Sequence, residues 1–86
     1  MTKLLLTTET WPEPRSLLLQ KYPGWTIKPL SSSLAGARYE KIVVLMGNTE
    51  SKVQEEAWMQ AAFQAECRLP PGKHVDIYWT QEHYPA

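Results

Sequence analysis

Cysteine is almost missing from this chain: Cys67 is the only one in 86 residues. A lone thiol cannot close an intrachain disulfide or build a cysteine zinc cluster. It suits a reducing compartment, so a cytoplasmic protein is the expectation. Charge of one sign is missing too. Nine Lys and Arg balance nine Asp and Glu, and no basic block interrupts the sequence. Nothing advertises the electrostatic footprint of a nucleic-acid binder or an attraction to anionic membranes. Long apolar runs are also absent at the N-terminus. "MTKLLLTTE" has three consecutive leucines, short of a signal-peptide core and of the ~20 apolar residues that span a bilayer.

Glycine is scarce and scattered. Gly24, Gly36, Gly47 and Gly72 are too far apart for a G-x-G-x-x-G or a Walker A loop, both of which need clustered glycines for backbone approach to phosphate. The loop after the first apolar run, "TTETWPEP", has neither Gly nor Lys. The run "KIVVLMGNTE" ends in Gly47-Asn48 and not in the acid of a Walker B strand. "SSSLAGARYEKIVVLMG" (Ser31–Gly47) is therefore a connector with a turn at Gly36, and not a phosphate cradle.

What is present is a core. The chain is 43% hydrophobic and 21% charged, with four Trp, each able to bury about 150–250 Å². This supports a single domain over 1–86, with 81–86 a short tail. "KLLLTT" and "KIVVLM" are continuously apolar, the mark of strands covered on both faces. "GWTIKPLSS" alternates and carries Pro29, which an edge strand tolerates. "HVDIYWT" also alternates, with Val75, Ile77 and Trp79 on one side.

A short helix is expected over Pro14–Tyr22, with Thr10 and Glu13 at capping-box spacing and Pro23-Gly24 as terminator. A long helix is expected over Glu50–Leu69, capped by Ser51 with Gln54 and ended by "PPG". Glu50, Glu55 and Glu56 near its start, and Arg68 near its end, suit the helix dipole. The order is β-α-β-β-α-β. It fits a small α/β fold: a mostly parallel sheet in order 2-1-3-4 with helices on both faces. The alternative is a ferredoxin-like α+β fold with all helices on one face. The unbroken apolar central strands favour the first.

"SLAGARYEKIVVL" resembles the L-x-G-x-R-x-x-x-I-h-V run, with h apolar, before the third strand of P-loop NTPase-like and other Rossmann-like proteins. Leu34, Gly36, Arg38, Ile42 and Val44 match over some 15 residues. Small phage-encoded proteins resemble stripped-down versions of such folds, so the resemblance implies a phage-encoded α/β protein. The phosphate and metal motifs of the family are missing here, and NTPase activity is not implied.

Catalytic chemistry finds no constellation. His74 and His83 stand nine apart without a third ligand, so no metal and no cofactor are expected. Cys67, between Glu66 and Arg68, reads as an idle thiol. Glu55 and Glu56 project about 100° apart on a helix and form no dyad. The long helix says more. Val53, Ala57, Ala61 and Ala65, with Trp58 and Ala62 beside them, read as a core stripe, while Met59, Phe63 and Cys67 form a second apolar stripe.

The second stripe means either an extra core contact, for which the tail at Tyr84-Pro85 is available, or a partner surface; the latter points to a non-enzymatic protein-binding module. Its expected interface residues are Met59, Phe63, Trp11 and Cys67, and its partner a host protein or a second copy. The alternative is a small-ligand or nucleotide-binding domain. Its site would be the crevice at the ends of strands 1 and 3, lined by Thr8, Thr10, Trp11, Asn48, Thr49 and Ser51. The same hydroxyls have a plainer use as helix caps. Tyr78 and Trp79 could stack on single-stranded nucleic acid, but the basic groove for it is missing.

Overall fold

The computed structural model describes residues 2–32, 34 and 37–79. The elements run β1 (Lys3–Thr7), α1 (Arg15–Lys21), β2 (Thr26–Pro29), β3 (Lys41–Met46), α2 (Lys52–Glu66) and β4 (Asp76–Trp79). The strands form one sheet in the order β2-β1-β3-β4. Every pairing in it is parallel, with Leu5 opposite Ile27 and Val43, and Val44 opposite Ile77. A ferredoxin-like sheet pairs its neighbours antiparallel, so that alternative is excluded.

The unbroken apolar strands have the expected cause. Neighbouring residues point to opposite faces, and both faces are buried. Leu5, Val43, Leu45 and Ile27 pack with Leu18 of α1, joined by the half-buried Trp11, Tyr22 and Trp25. Leu4, Leu6, Ile42, Val44 and Met46 pack on the other side with Trp58, Ala62, Ala65 and Leu69. Leu4, Leu5 and Leu6 are all essentially sealed from solvent. Each such leucine contributes about 1.5–3 kcal/mol. The "LLL" run is thus comparable to the whole net stability of a small domain, about 5–15 kcal/mol.

The first helix starts later than the capping-box spacing suggested. Pro14 occupies its N-cap without a side-chain acceptor, and the Leu17 and Leu18 amides donate to the Pro14 carbonyl instead. Thr10 lies too far upstream to reach those donors. Glu13 is engaged elsewhere, accepting from the Trp11 indole and pairing with Lys21. The helix stops where expected: Tyr22 closes it, and Gly24 takes a positive φ of 84° that suits only glycine.

Among the described residues between β2 and β3 there is no helix. The chain crosses the α2 face as a connector, burying Leu30 and Tyr39 and packing Leu34 and Ala37 against the same cluster. The Tyr39 amide donates to the Arg68 carbonyl at 3.0 Å and ties the connector to the end of α2. Gly36 lies outside the described residues, as do Thr80 and the tail with His83, Tyr84 and Pro85.

The second helix is shorter at both ends than expected. Ser51 is its N-cap and accepts from the Gln54 amide at 3.2 Å, as its spacing indicated. Glu50 falls before the cap and Arg68 after the last turn, which holds no basic residue. The core stripe also needs correction. The buried residues are Trp58, Ala62 and Ala65, whereas Val53 is 78% exposed and Ala57 is exposed too. The reason is geometric. A four-residue repeat drifts about 40° per step on a helix of 3.6 residues per turn, so a row ending at buried Ala65 begins in solvent. Among the described residues, no helix is long and apolar enough to cross a membrane.

Candidate functional site

In a doubly wound sheet the chain leaves β1 and β3 toward opposite faces. The gap between their carboxyl ends is where such folds receive ligands. Here that gap is occupied by the chain itself. Thr8 is buried; its amide donates to the Leu45 carbonyl at 3.1 Å and its hydroxyl donates to the same oxygen at 3.2 Å. The Gly47 amide donates back to the Thr8 hydroxyl oxygen at 2.6 Å. One side chain thereby joins the ends of both central strands and uses its donor and acceptor capacity together.

The loop then turns directly over Gly47. A Cβ at that position would overlap Thr10 and sit 2.6 Å from the Trp11 nitrogen. The Trp11 amide donates to the Thr8 carbonyl at 3.2 Å, which closes the turn. Gly47 is there so that the loop backbone can approach it, a role that spacing alone did not disclose. The signal was a glycine immediately after a buried strand.

The remaining crevice residues serve the local structure. The Ser51 amide donates to Thr49 Oγ1 at 3.2 Å, and Ser51 in turn caps α2. Ser51 is therefore the helix cap, and Thr49 holds the amide of that cap residue. Asn48 follows Gly47 and is half-buried. Thr10 is exposed and caps nothing in α1.

The expected interface residues do not share one surface. Trp11 packs against the Leu5 cluster on the α1 face. Met59 packs against the Leu4 cluster on the other face. Phe63 lies one turn further along α2 and is 57% exposed; Cys67, at the helix C-cap, is exposed too.

Around the helix axis, α2 and the turn that follows it present three strips. Trp58, Ala62, Ala65 and Leu69 point into the core. Met59 and Phe63, with Lys52, Glu55, Glu56 and Gln60, line a hollow of about 430 Å³ on one flank. Ala61, Gln64, Ala65 and Arg68 line another, facing the connector, of about 350 Å³. Since the connector lies on the β1–β2 side, the Met59 flank is the one toward β4. There Trp79, in register with Met46 and so on the α2 face, is 38% exposed. Tyr78 stands on the opposite face of the same edge strand.

The far end of α2 carries an ionisable cluster. Glu66 accepts from His74 Nδ1 at 3.2 Å and from the Val75 amide at 3.1 Å. The His74 bond first, and the Val75 amide second, hold the Glu66 carboxyl below its ordinary pKa. Glu13 is likewise lowered, chiefly by the Lys21 hydrogen bond, with the Trp11 indole adding to it against partial desolvation. Both clusters tie local elements together. Among the described residues, no group of three His, Cys, Asp or Glu side chains converges as a metal site would require.

No family model, curated protein or solved structure matches this chain. A functional reading therefore rests on its own geometry.

Proposed function

We propose that this protein is a non-enzymatic protein-binding module, and that it engages its partner through the flank of α2 bearing Met59 and Phe63. The observation that supports the reading is Phe63, an aromatic ring more than half exposed on a flank of α2 whose other apolar residue is Met59. A lone exposed apolar residue is ordinary on a protein surface. An exposed Phe beside an adaptable Met, on the side of the exposed Trp79, has the composition of an interface core. The rim carries Lys52, Glu55 and Glu56, charges of both signs that suit a protein partner better than a polyanion.

The reading divides into self-association and docking on another protein, the phage-encoded factor on its host being the second form. Light scattering across a concentration range separates them. If the chain dimerises, Phe63→Glu renders it monomeric. If it is a monomer, Phe63→Glu abolishes capture of the partner, whereas Leu19→Glu, at an exposed leucine on α1, leaves capture intact. Self-association or capture that survives Phe63→Glu sinks the proposal. The crevice between β1 and β3 supports the ligand-binding alternative less well, because the Thr10–Trp11 backbone already packs on Gly47 at its centre.

A further inference from the structure

The two edges of the sheet are finished differently. In a parallel pair, a residue that turns its amide and carbonyl toward the neighbouring strand bonds the residues flanking its partner, and the next residue turns both groups the other way. Two bonds fix that alternation here. The Leu30 amide donates to the Thr7 carbonyl, and the Thr8 amide to the Leu45 carbonyl. With the pairing registers, the outward backbone groups belong to Ile27 and Pro29 on β2, and to Ile77 and Trp79 on β4. The β2 edge is closed: Pro29 has no amide, its carbonyl accepts from the Ser32 amide, and the Ile27 carbonyl accepts from the Arg15 guanidinium. The β4 edge is closed only as far as Val75, whose amide is held by Glu66. Among the described residues, nothing pairs with the outer side of β4, and the outward groups of Ile77 and Trp79 have no partner. The strand also lacks the Pro or Lys that keeps an edge from pairing, and its one charge, Asp76, sits beside Lys41.

We propose that two copies of this chain join through β4, antiparallel about a two-fold axis at Tyr78, into one continuous sheet. The register follows from which groups are free. With the axis at Tyr78, Ile77 lies opposite Trp79 of the second copy, and every outward amide and carbonyl of these residues is satisfied. With the axis at Ile77, Trp79 would meet Val75, whose amide is already taken. Tyr78 then faces Tyr78 on the α1 side, and Ile77 faces Trp79 on the α2 side, aromatic and β-branched cross-strand pairs of the kind that stabilise sheets. The axis also continues the α2 face of one copy into that of the other. Because α2 lies against β3, the two helices stand about 14 Å apart, three strand spacings. Directly packed helices are about 8–10 Å apart, so a layer of side chains fits between, and Phe63 and Trp79 stand there exposed. Any strand can satisfy the backbone of β4, but a second copy also brings a matching Phe63 flank to a self-complementary interface. The proposal rests on the binding-module reading in its self-association form.

The test is amide hydrogen exchange of the isotopically labelled chain, in the dimer and in the monomer reached by dilution, with the mass followed by light scattering. In the dimer, exchange at Ile77 and Trp79 should slow by about tenfold or more, while Tyr78, whose amide already faces β3, exchanges alike in both. Trp79→Pro removes an outward amide where an edge strand tolerates proline, and should be monomeric; Trp79→Val keeps that amide and should still dimerise. A chain that is monomeric at every concentration overturns the proposal and leaves docking on another protein standing. A dimer broken by Phe63→Glu, in which Ile77 and Trp79 exchange as fast as in the monomer, overturns it and leaves the Phe63 flank as the whole interface. Protection of both amides in the monomer, or a Trp79→Pro variant that dimerises like wild type, also overturns it. A dimer lost in Trp79→Pro but kept in Phe63→Glu, with both amides protected, supports the edge pairing and sinks the Phe63 reading alone.

Discussion

Replacing Gly47 with alanine puts a methyl group into space held by backbone. Its nearest neighbours are Thr10 and the Trp11 nitrogen. The Trp11 nitrogen and the Thr10 carbonyl carbon are main-chain atoms and cannot rotate aside like a side chain. The loop must lift, and lifting it strains two hydrogen bonds: Gly47 amide to Thr8 hydroxyl, and Trp11 amide to Thr8 carbonyl. Overpacking in a close-fitted site costs about 1–3 kcal/mol, and weakening one buried hydrogen bond adds about 1 kcal/mol. Against this, alanine stiffens the unfolded chain and returns about 0.4–1 kcal/mol. The net expectation is a loss of about 2–3 kcal/mol, read by urea unfolding as a lower midpoint at unchanged slope.

Two other glycines act as internal controls. Gly24 and Gly72 each have φ near 84° and nothing within 4 Å of an added Cβ. Their alanine variants should lose only the left-handed backbone penalty, about 1–2 kcal/mol. Thr8→Val, nearly isosteric but unable to bond Leu45 or Gly47, should cost about 1–3 kcal/mol. A Gly47→Ala variant within about 0.5 kcal/mol of wild type, the ordinary range of neutral surface changes, would refute the account of the closed switch point. It would also reopen the crevice as a ligand site.

Other substitutions probe the remaining surfaces. Phe63→Glu should leave the unfolding free energy within about 0.5 kcal/mol of wild type. Met59→Glu, which puts a charge against the Leu4 cluster, should destabilise by about 1–3 kcal/mol; equal effects at the two positions would refute the division of that flank. Ala62→Leu fills a site with no accessible surface and should cost about 1–3 kcal/mol, whereas Val53→Asp should be neutral by thermal unfolding; the reverse order would mean that α2 is rotated about its axis. Carbon-detected titration of Glu66 should give a pKa below the ordinary glutamate value, rising toward it in His74→Ala. A depressed carboxyl stabilises the fold above the unfolded-state pKa and loses that contribution as pH falls through the folded one, so the Glu66 contribution disappears under acid conditions and not at neutral pH. An unshifted Glu66 would remove it.

Much of the fold was legible because both of its central strands break alternation. "KLLLT" and "KIVVLM" can be placed only where two faces need apolar cover, and the sheet order follows from putting them side by side. Pro29 marked an edge strand, and β2 is one. Ser51 and Gln54 marked a cap, and the bond is made. What failed was finer. Thr10 and Glu13 have capping-box spacing, but spacing does not say where the helix begins, and Pro14 took the N-cap. The repeat from Val53 to Ala65 looked like one face because alanine is neutral evidence. Only the large Trp58 and the position of Leu69 say which side of the helix meets the sheet.

The site was less legible for a related reason. Hydroxyls beside a strand end are compatible with holding a ligand and with holding the chain, and the two uses share the same residue types. Here the surroundings of a single glycine favour holding the chain. At a ligand-binding switch point, small residues leave room for a guest; at Gly47 the room is taken by the backbone of Thr10 and Trp11, and Thr8 bonds both central strands across it. That packing supports the chain-holding use of these residues. Open surface remains on the two flanks of α2, one where Phe63 lies beyond the reach of the core, the other beside the described part of the β2–β3 connector. The two flanks differ in composition: Phe63 and Met59 among charges of both signs on one side, and serines, Gln64 and Arg68 with Leu34 and Ala61 on the other.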